Sequence, residues 1–199
     1  MKVREIGPGV WAAVSSACAG PLTPADRAAA RGAPPWRARQ LLGGRALLRA
    51  LLTRVAPQAA DATLIADGNG KPALDRWPGV GISISHDETY TAVSVASGRR
   101  VGIDIQVPPR QVAPSLLRRC AARYADRLDR LPPSVRSTVF TEIWTVQEAC
   151  VKTTGSGIGG RPWRIDVPPD TDAGSWRGLR WHKVRDLADV PVACAWEEH

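Results

Sequence analysis

No stretch of this chain approaches the 18 or more uninterrupted apolar residues that a membrane-spanning helix needs. The opening Met1-Lys2-Val3-Arg4-Glu5 has no apolar leader core either, so a soluble, cytoplasmic protein is expected. Cysteine is sparse and dispersed. Cys18, Cys120, Cys150 and Cys194 form no C-x-x-C pair and have no histidine at metal spacing, which removes a disulfide framework and a zinc site and leaves buried thiols in a reducing compartment. A G-x-x-x-x-G-K-[ST] loop is missing, and with it a P-loop. Gly155-Ser156-Gly157-Ile158-Gly159-Gly160 has the letters of a dinucleotide fingerprint, but a helical pattern precedes it and Pro162 follows. The fingerprint needs the opposite order, so this run reads as a helix C-terminus and a loop. Aromatic rings other than indole are rare, with one Phe and two Tyr against eight Trp. Repeats and low-complexity tracts are absent.

Acid is also in short supply. Asp and Glu number 19 against 27 Lys and Arg, a formal charge of +8. Such a surface suits an anionic partner, whether nucleic acid, a phosphorylated cofactor, an anionic membrane or an acidic protein; it equally suits simple solubilisation. What is present is ordinary globular material. The 199 residues are 44% hydrophobic and 23% charged, enough for one domain or two small ones with a buried core.

Val10–Val14 reads as a strand, and Thr23-Pro24 caps a short helix reaching Arg31. From Trp36 to Val55 the pattern is helical, with Leu41, Leu48, Leu52 and Val55 in a stripe and Arg39, Arg45 and Arg49 beside it. Asp67–Pro72 is a turn cluster. Strands follow at Val80–Ser85, Thr91–Ala96 and Val101–Val107, the last ended by Pro108-Pro109. Ser115–Leu128 reads as a helix with Leu116, Cys120, Tyr124 and Leu128 in register, and a second helix runs from Ser134 to Lys152. Residues 153–199 hold turns and short strands, Val192–Trp196 among them. The layout is two α/β halves, 1–100 and 101–199.

Period-2 geometry puts Asp104 and Gln106 about 7 Å apart on one strand face, where two oxygens suit a hard cation such as Mg²⁺; an acid on a solvated face is the plainer reading. Trp144, Glu148 and Lys152 share one helix stripe at i, i+4 and i+8. Read alone, the last two are a surface ion pair or a metal-ligating carboxylate one turn from a phosphate-binding ammonium. Ser85-His86-Asp87 lies at a strand end. Neighbours in sequence do not form a hydrolase relay, which leaves a polar turn or a phosphate contact.

Taken in order, Gly70-Lys71-Pro72, Ile84-Ser85-His86, Val101-Gly102-Ile103-Asp104-Ile105 and Trp144-Thr145-Val146-Gln147-Glu148-Ala149-Cys150-Val151-Lys152 resemble the 4'-phosphopantetheinyl transferases of the larger, surfactin-synthetase-activating type. Arg39-Gln40-Leu41-Leu42-Gly43 resembles the early basic helix of that family, while the last 40 residues match loosely. The resemblance implies an α/β (α+β) pseudodimer of two similar subdomains, each a small antiparallel sheet packed with a long helix, with the active site at their interface and a monomer in solution. It implies an enzyme that moves the phosphopantetheine arm of coenzyme A onto a serine of an acidic apo acyl or peptidyl carrier protein, releasing adenosine 3',5'-bisphosphate. Polyketide, nonribosomal peptide or fatty acid biosynthesis would be served, and neither nucleic acid nor membrane would be a partner.

By the same resemblance, Asp104, Gln106 and Glu148 are the ligands of Mg²⁺, with Mn²⁺ as the alternative ion. Glu148 is also the base, and Lys152 binds the diphosphate and assists departure. Lys71, Ser85 and His86 contact coenzyme A, and Arg39 and Arg31 meet its 3'-phosphate. Two positions depart from the family pattern. Gln106 stands where a third acid is expected, which weakens the metal shell, and Gln147 stands at a commonly basic position, which is expected to alter contacts around the diphosphate. The rival class is a non-catalytic basic module that binds coenzyme A or nucleic acid.

Overall fold

The computed structural model describes residues 1–17 and 20–198, so the reading of Cys18 lies outside the described residues. The chain opens with a hairpin of β1 (Lys2–Gly7) and β2 (Val10–Ser15), turned at Gly9 with φ 70°. β2 matches its sequence pattern. β1 left no alternation to read because it is an edge strand with half of its residues exposed and none fully buried. Helix α1 (Pro24–Ala29) starts at the expected Thr23, whose hydroxyl and backbone exchange hydrogen bonds with Asp26 in a capping box, and it stops short of Arg31.

Helix α2 (Pro35–Val55) carries Arg49 into the interior. Its guanidinium donates to Asp26 through Nε at 2.9 Å and Nη2 at 3.0 Å, and to the Ala60 and Ala62 carbonyls at 2.7 and 2.6 Å. Burial raises the Asp26 carboxyl, but Arg49 and the Thr23 bonds outweigh it and hold the pKa at about 2. Arg49, expected beside the apolar stripe, is therefore part of the core.

A two-stranded ribbon of β3 (Leu64–Ala66) and β4 (Pro72–Leu74) flanks the turn at 67–71. β5 (Val80–Asp87) and β6 (Tyr90–Ser97) complete an antiparallel sheet in the order β1-β2-β6-β5. Ser85-His86-Asp87 thus lies within β5 rather than in a turn. Leu47, Leu48, Leu51 and Leu52 of α2 cover one face of this sheet, against Ile82, Val93 and Val95.

β7 (Val101–Ile105) stops two residues short of the expected Val107, although the Gln106 amide still donates to the Pro191 carbonyl at 3.1 Å. The single helix expected over Ser115–Leu128 is broken into α3 (Pro114–Cys120), a 3-10 turn and α4 (Ala125–Asp129). The break changes which residues face inward. Leu117, Cys120, Ala121, Ala125 and Leu128 are buried, whereas Leu116 is exposed. Helix α5 (Pro133–Thr154) agrees with its pattern and ends on Gly155 at φ 72°.

β8 (Ala173–Trp176), β9 (Leu179–Lys183) and β10 (Val192–Glu197) join β7 in a second antiparallel sheet, ordered β7-β10-β9-β8. α5 packs on one face of it. On the other face Val101, Ile103, Ile105, Val192 and Cys194 share a core with Val10, Ala12, Val14 and Ala96 of the first sheet. The mixed α/β class is as expected. Cys120, Cys150 and Cys194 are free and buried, and burial pushes Cys150 and Cys194 up to about 12. Among the described residues no helix is long and apolar enough to cross a membrane.

Candidate active site

β7 runs between the two cores, so its alternation has consequences. Val101, Ile103 and Ile105 enter the core between the sheets, and Gly102 and Asp104 face α5. At Gly102 the helix comes so close that a Cβ would stand 2.2 Å from the Ala149 carbonyl oxygen. This close approach brings Asp104 under the α5 stripe of Trp144, Glu148 and Lys152, and all four line a cleft of about 630 Å³. The end of β5 forms a further wall with Ser85, His86 and Asp87, and α2 adds Arg37 and Leu41.

At the floor, Lys152 Nζ donates to Asp104 Oδ1 at 2.6 Å and to Ser85 Oγ at 2.8 Å, while the Ser85 hydroxyl donates to the same Asp104 oxygen at 2.8 Å. Burial pushes the Asp104 carboxyl above its ordinary value, and Lys152 and Ser85 pull it back in part. Glu148 is also raised, by burial first and by the Asp104 charge second, against the pull of Lys152. A carboxylate raised in this way is a better proton acceptor near neutral pH.

Burial lowers the His86 pKa, with Arg37 and Lys152 adding to the effect and the Gln40 backbone opposing it. The charged form of the ring is disfavoured there. Its Nε2 is buried without a partner against α2. It fits there because residue 44 is glycine, where a Cβ would lie 2.5 Å from that nitrogen.

Six of the residues expected at the site are brought together, namely Ser85, His86, Asp104, Gln106, Glu148 and Lys152. Arg31 is exposed beyond α1 and does not line the cleft. Arg39 is also outside it. Arg37 takes its place, because residues two apart on a helix point to opposite sides. The motif drew attention to Arg39, but the i, i+4 spacing from Leu41 back to Arg37 was the signal to follow. Asp87 was missed as a cleft residue; its Oδ2 accepts the Val107 amide at 2.7 Å.

Lys71 stands beside the cleft, in a recess of about 230 Å³ that shares Lys152 as a wall. Its ammonium donates to the carbonyls of Val101 at 2.7 Å and Thr153 at 3.0 Å. Gln147 corrects an expectation outright. It is fully buried on the far side of α5, where its Nε2 donates to the carbonyls of Cys120 at 2.7 Å and Ile165 at 2.9 Å, so it has no access to a diphosphate.

The oxygen donors that would hold a metal are hard ones, the Asp104 and Glu148 carboxylates and the Gln106 amide. Among the described residues no three His, Cys, Asp or Glu side chains group closely enough to hold an ion unaided. Two carboxylates fit a cation such as Mg²⁺, which keeps water and takes further oxygens from a substrate phosphate.

A family model described as the 4'-phosphopantetheinyl transferase superfamily matches residues 100–193. The chain is similar to the 4'-phosphopantetheinyl transferase psf-1 of Bacillus pumilus, at 29% identity over 123 residues, covering 61% of this chain and 52% of that protein. It is also similar to the 4'-phosphopantetheinyl transferase pptA of Paxillus involutus, at 28% identity over 142 residues, covering 61% of this chain and 54% of the other. The chain spans about half the length of the curated relatives it matches. The matched residues run from the start of β7 through α5 into β10 and carry Asp104, Glu148 and Lys152, so the part of the chain that builds the cleft floor is similar to the 4'-phosphopantetheinyl transferase superfamily.

Proposed function

We propose that the protein transfers the 4'-phosphopantetheine arm of coenzyme A to the serine hydroxyl of an apo acyl or peptidyl carrier protein, releasing adenosine 3',5'-bisphosphate, as an enzyme of the surfactin-synthetase-activating type. The supporting observation is the cleft floor, where Lys152 is bonded to Asp104 and Ser85 and shares its helix stripe with a raised Glu148. The two halves, 1–100 and 101–199, act as similar subdomains, each with a four-stranded antiparallel sheet and one long helix.

In this reading Asp104 and Glu148, with Gln106, would hold Mg²⁺, which would supply charge neutralisation at the diphosphate of coenzyme A. Glu148 takes the proton from the carrier serine. The serine oxygen forms its bond to the pantetheine-side phosphorus as the bridging P–O bond breaks, and the electron pair leaves with the adenosine bisphosphate. Lys152 offers its ammonium to the charge that develops there, and Arg37 adds a second cation. Ser85 holds Asp104 and Lys152 in register. The net charge of +8 favours encounter with both an acidic carrier and a polyanionic thiol.

The test is mass spectrometry of an apo carrier protein incubated with the protein, coenzyme A and Mg²⁺. A gain of one phosphopantetheine arm is expected. Coenzyme A binding without any mass gain on a panel of acyl and peptidyl carriers would favour the non-catalytic module instead.

A further inference from the structure

The last turn of a helix leaves its carbonyls without intrahelical partners, and the end of α5 satisfies them in an unusual way. The Ser156 amide donates to the Val151 carbonyl at 3.2 Å, and the Gly155 amide to that of Lys152 at 3.3 Å. The next carbonyl, that of Thr153, receives the Lys71 ammonium, which comes from the opposite half of the chain. The same nitrogen donates to the carbonyl of Val101, the first residue of β7.

The turn that presents Lys71 is braced. The Asp67 carboxylate accepts the amides of Asn69 and Lys71 at 2.9 Å each, and Gly70 adopts φ 80°. The turn also abuts the helix end, since a Cβ at Gly155 would lie 3.5 Å from Asn69 Nδ2. Burial first, then the Arg100 charge, lower the ammonium to about 8. Lys71 is therefore half-buried, at the negative end of the α5 dipole.

The elements joined by this ammonium are the two that carry the cleft-floor ion pair. Lys152 precedes Thr153, and Asp104 lies three residues after Val101. We propose that Lys71 is a positioning residue which fixes the end of α5 against the start of β7, and so sets the register of Lys152 over Asp104, rather than a residue that touches coenzyme A.

The kinetic part of the test rests on the proposed transfer; the binding and exchange parts do not. In Lys71→Met, which keeps the aliphatic stem, kcat should fall roughly tenfold to a hundredfold, the scale of a small misplacement of reacting groups. The KM for coenzyme A and the calorimetric Kd of adenosine 3',5'-bisphosphate should stay within about twofold. Amide hydrogen exchange should quicken at Gly155 and Ser156 and at the start of β7. Lys71→Arg, which keeps a cation with several donors on a long stem, should restore most of the loss in exchange protection. A Kd raised tenfold or more with kcat preserved would make Lys71 a ligand contact and overturn the proposal. Unchanged exchange at Gly155, Ser156 and β7 would overturn it as well. If the wild-type protein transfers nothing, the proposed function fails, and the exchange pattern still decides the role of Lys71.

Discussion

Replacing Lys152 by Met should produce a stability loss that depends on pH in a way few other substitutions share. Lys152 Nζ lies 2.6 Å from Asp104 Oδ1, and the two side chains are 31% and 9% exposed. Removing one partner of a buried pair usually costs about 3–5 kcal/mol, because the remaining charge is stranded. Here the lysine end is partly wet and the Ser85 hydroxyl still donates to the carboxylate, so about 2–3 kcal/mol is the expected loss at pH 8. At roughly 2–4 °C per kcal/mol for a chain of this size, Tm should fall by about 5–10 °C. Asp104 already titrates above its ordinary 3.8 because of burial. Without the ammonium it should titrate higher still.

For an acid raised in the folded state, the native protein binds more protons than the unfolded chain between the two pKa values. Stability therefore falls as pH rises through that window and recovers as pH drops. As pH falls the stranded carboxyl takes up a proton more readily than a free aspartate does, and the deficit of the variant should shrink. Scanning calorimetry of the metal-free protein from pH 5 to pH 8 reads this directly. Lys152→Met with Asp104→Asn should recover about 2 kcal/mol at pH 8. Equal losses at both ends of the range, or a double variant no better than the single one, would refute the argument.

Glu148→Gln should leave the fold intact and lower the transfer rate by about 10²–10⁴, the usual worth of a general base. It should also abolish the rising limb of the pH–rate profile, whose apparent pKa should lie above the ordinary 4.5 in the wild-type protein. Arg37→Ala should raise the KM for coenzyme A and Arg39→Ala should not, since only the first lines the cleft; steady-state kinetics separates them. Gln106→Glu should lower the Mg²⁺ concentration for half-maximal transfer by on the order of tenfold, or roughly 1–2 kcal/mol once repulsion from the diphosphate is set against the added charge. Gly44→Ala reverses the usual helix preference for Ala. The new methyl would stand 2.5 Å from His86 Nε2 and 2.8 Å from Ile84 Cγ2, so a loss of about 1–3 kcal/mol is expected in chemical denaturation.

The legible parts of the site are those whose periodicity is strict. Asp104 is the polar member of an alternating strand, and Trp144, Glu148 and Lys152 repeat every four residues, so spacing alone placed them on shared faces. The cleft-lining arginine was misread because a motif fixes residue identity while the helix turn decides direction, and Arg39 and Arg37 differ by half a rotation. Gln147 illustrates the same limit. It adjoins Glu148 in sequence, yet it points into the core and holds the Cys120 and Ile165 carbonyls. The break between α3 and α4 carried no signal, because Cys120 through Ala125 contains neither Gly nor Pro. β8 has no fully buried position to set an alternation, and in β9 the buried face of Leu179 and Trp181 continues to a lysine, Lys183, which broke the apolar pattern. Arg49 shows tertiary context overriding composition, as a charge that reads as surface serves inside because Asp26 and two carbonyls await it.

The pairing of β7 with β10 sets a schedule for folding. Ile103 lies opposite Cys194, and Ile105 opposite Val192, across a long intervening stretch of chain. Closing a loop of that length is slow compared with forming a helix or a hairpin. The first sheet and α2 are made entirely of residues before 98 and can assemble early. Asp104 gains its final surroundings only when the last strand arrives on the other side of β7. The protein should acquire its compact first half well before it acquires a competent cleft, and refolding followed by far-ultraviolet circular dichroism should run ahead of refolding followed by coenzyme A binding.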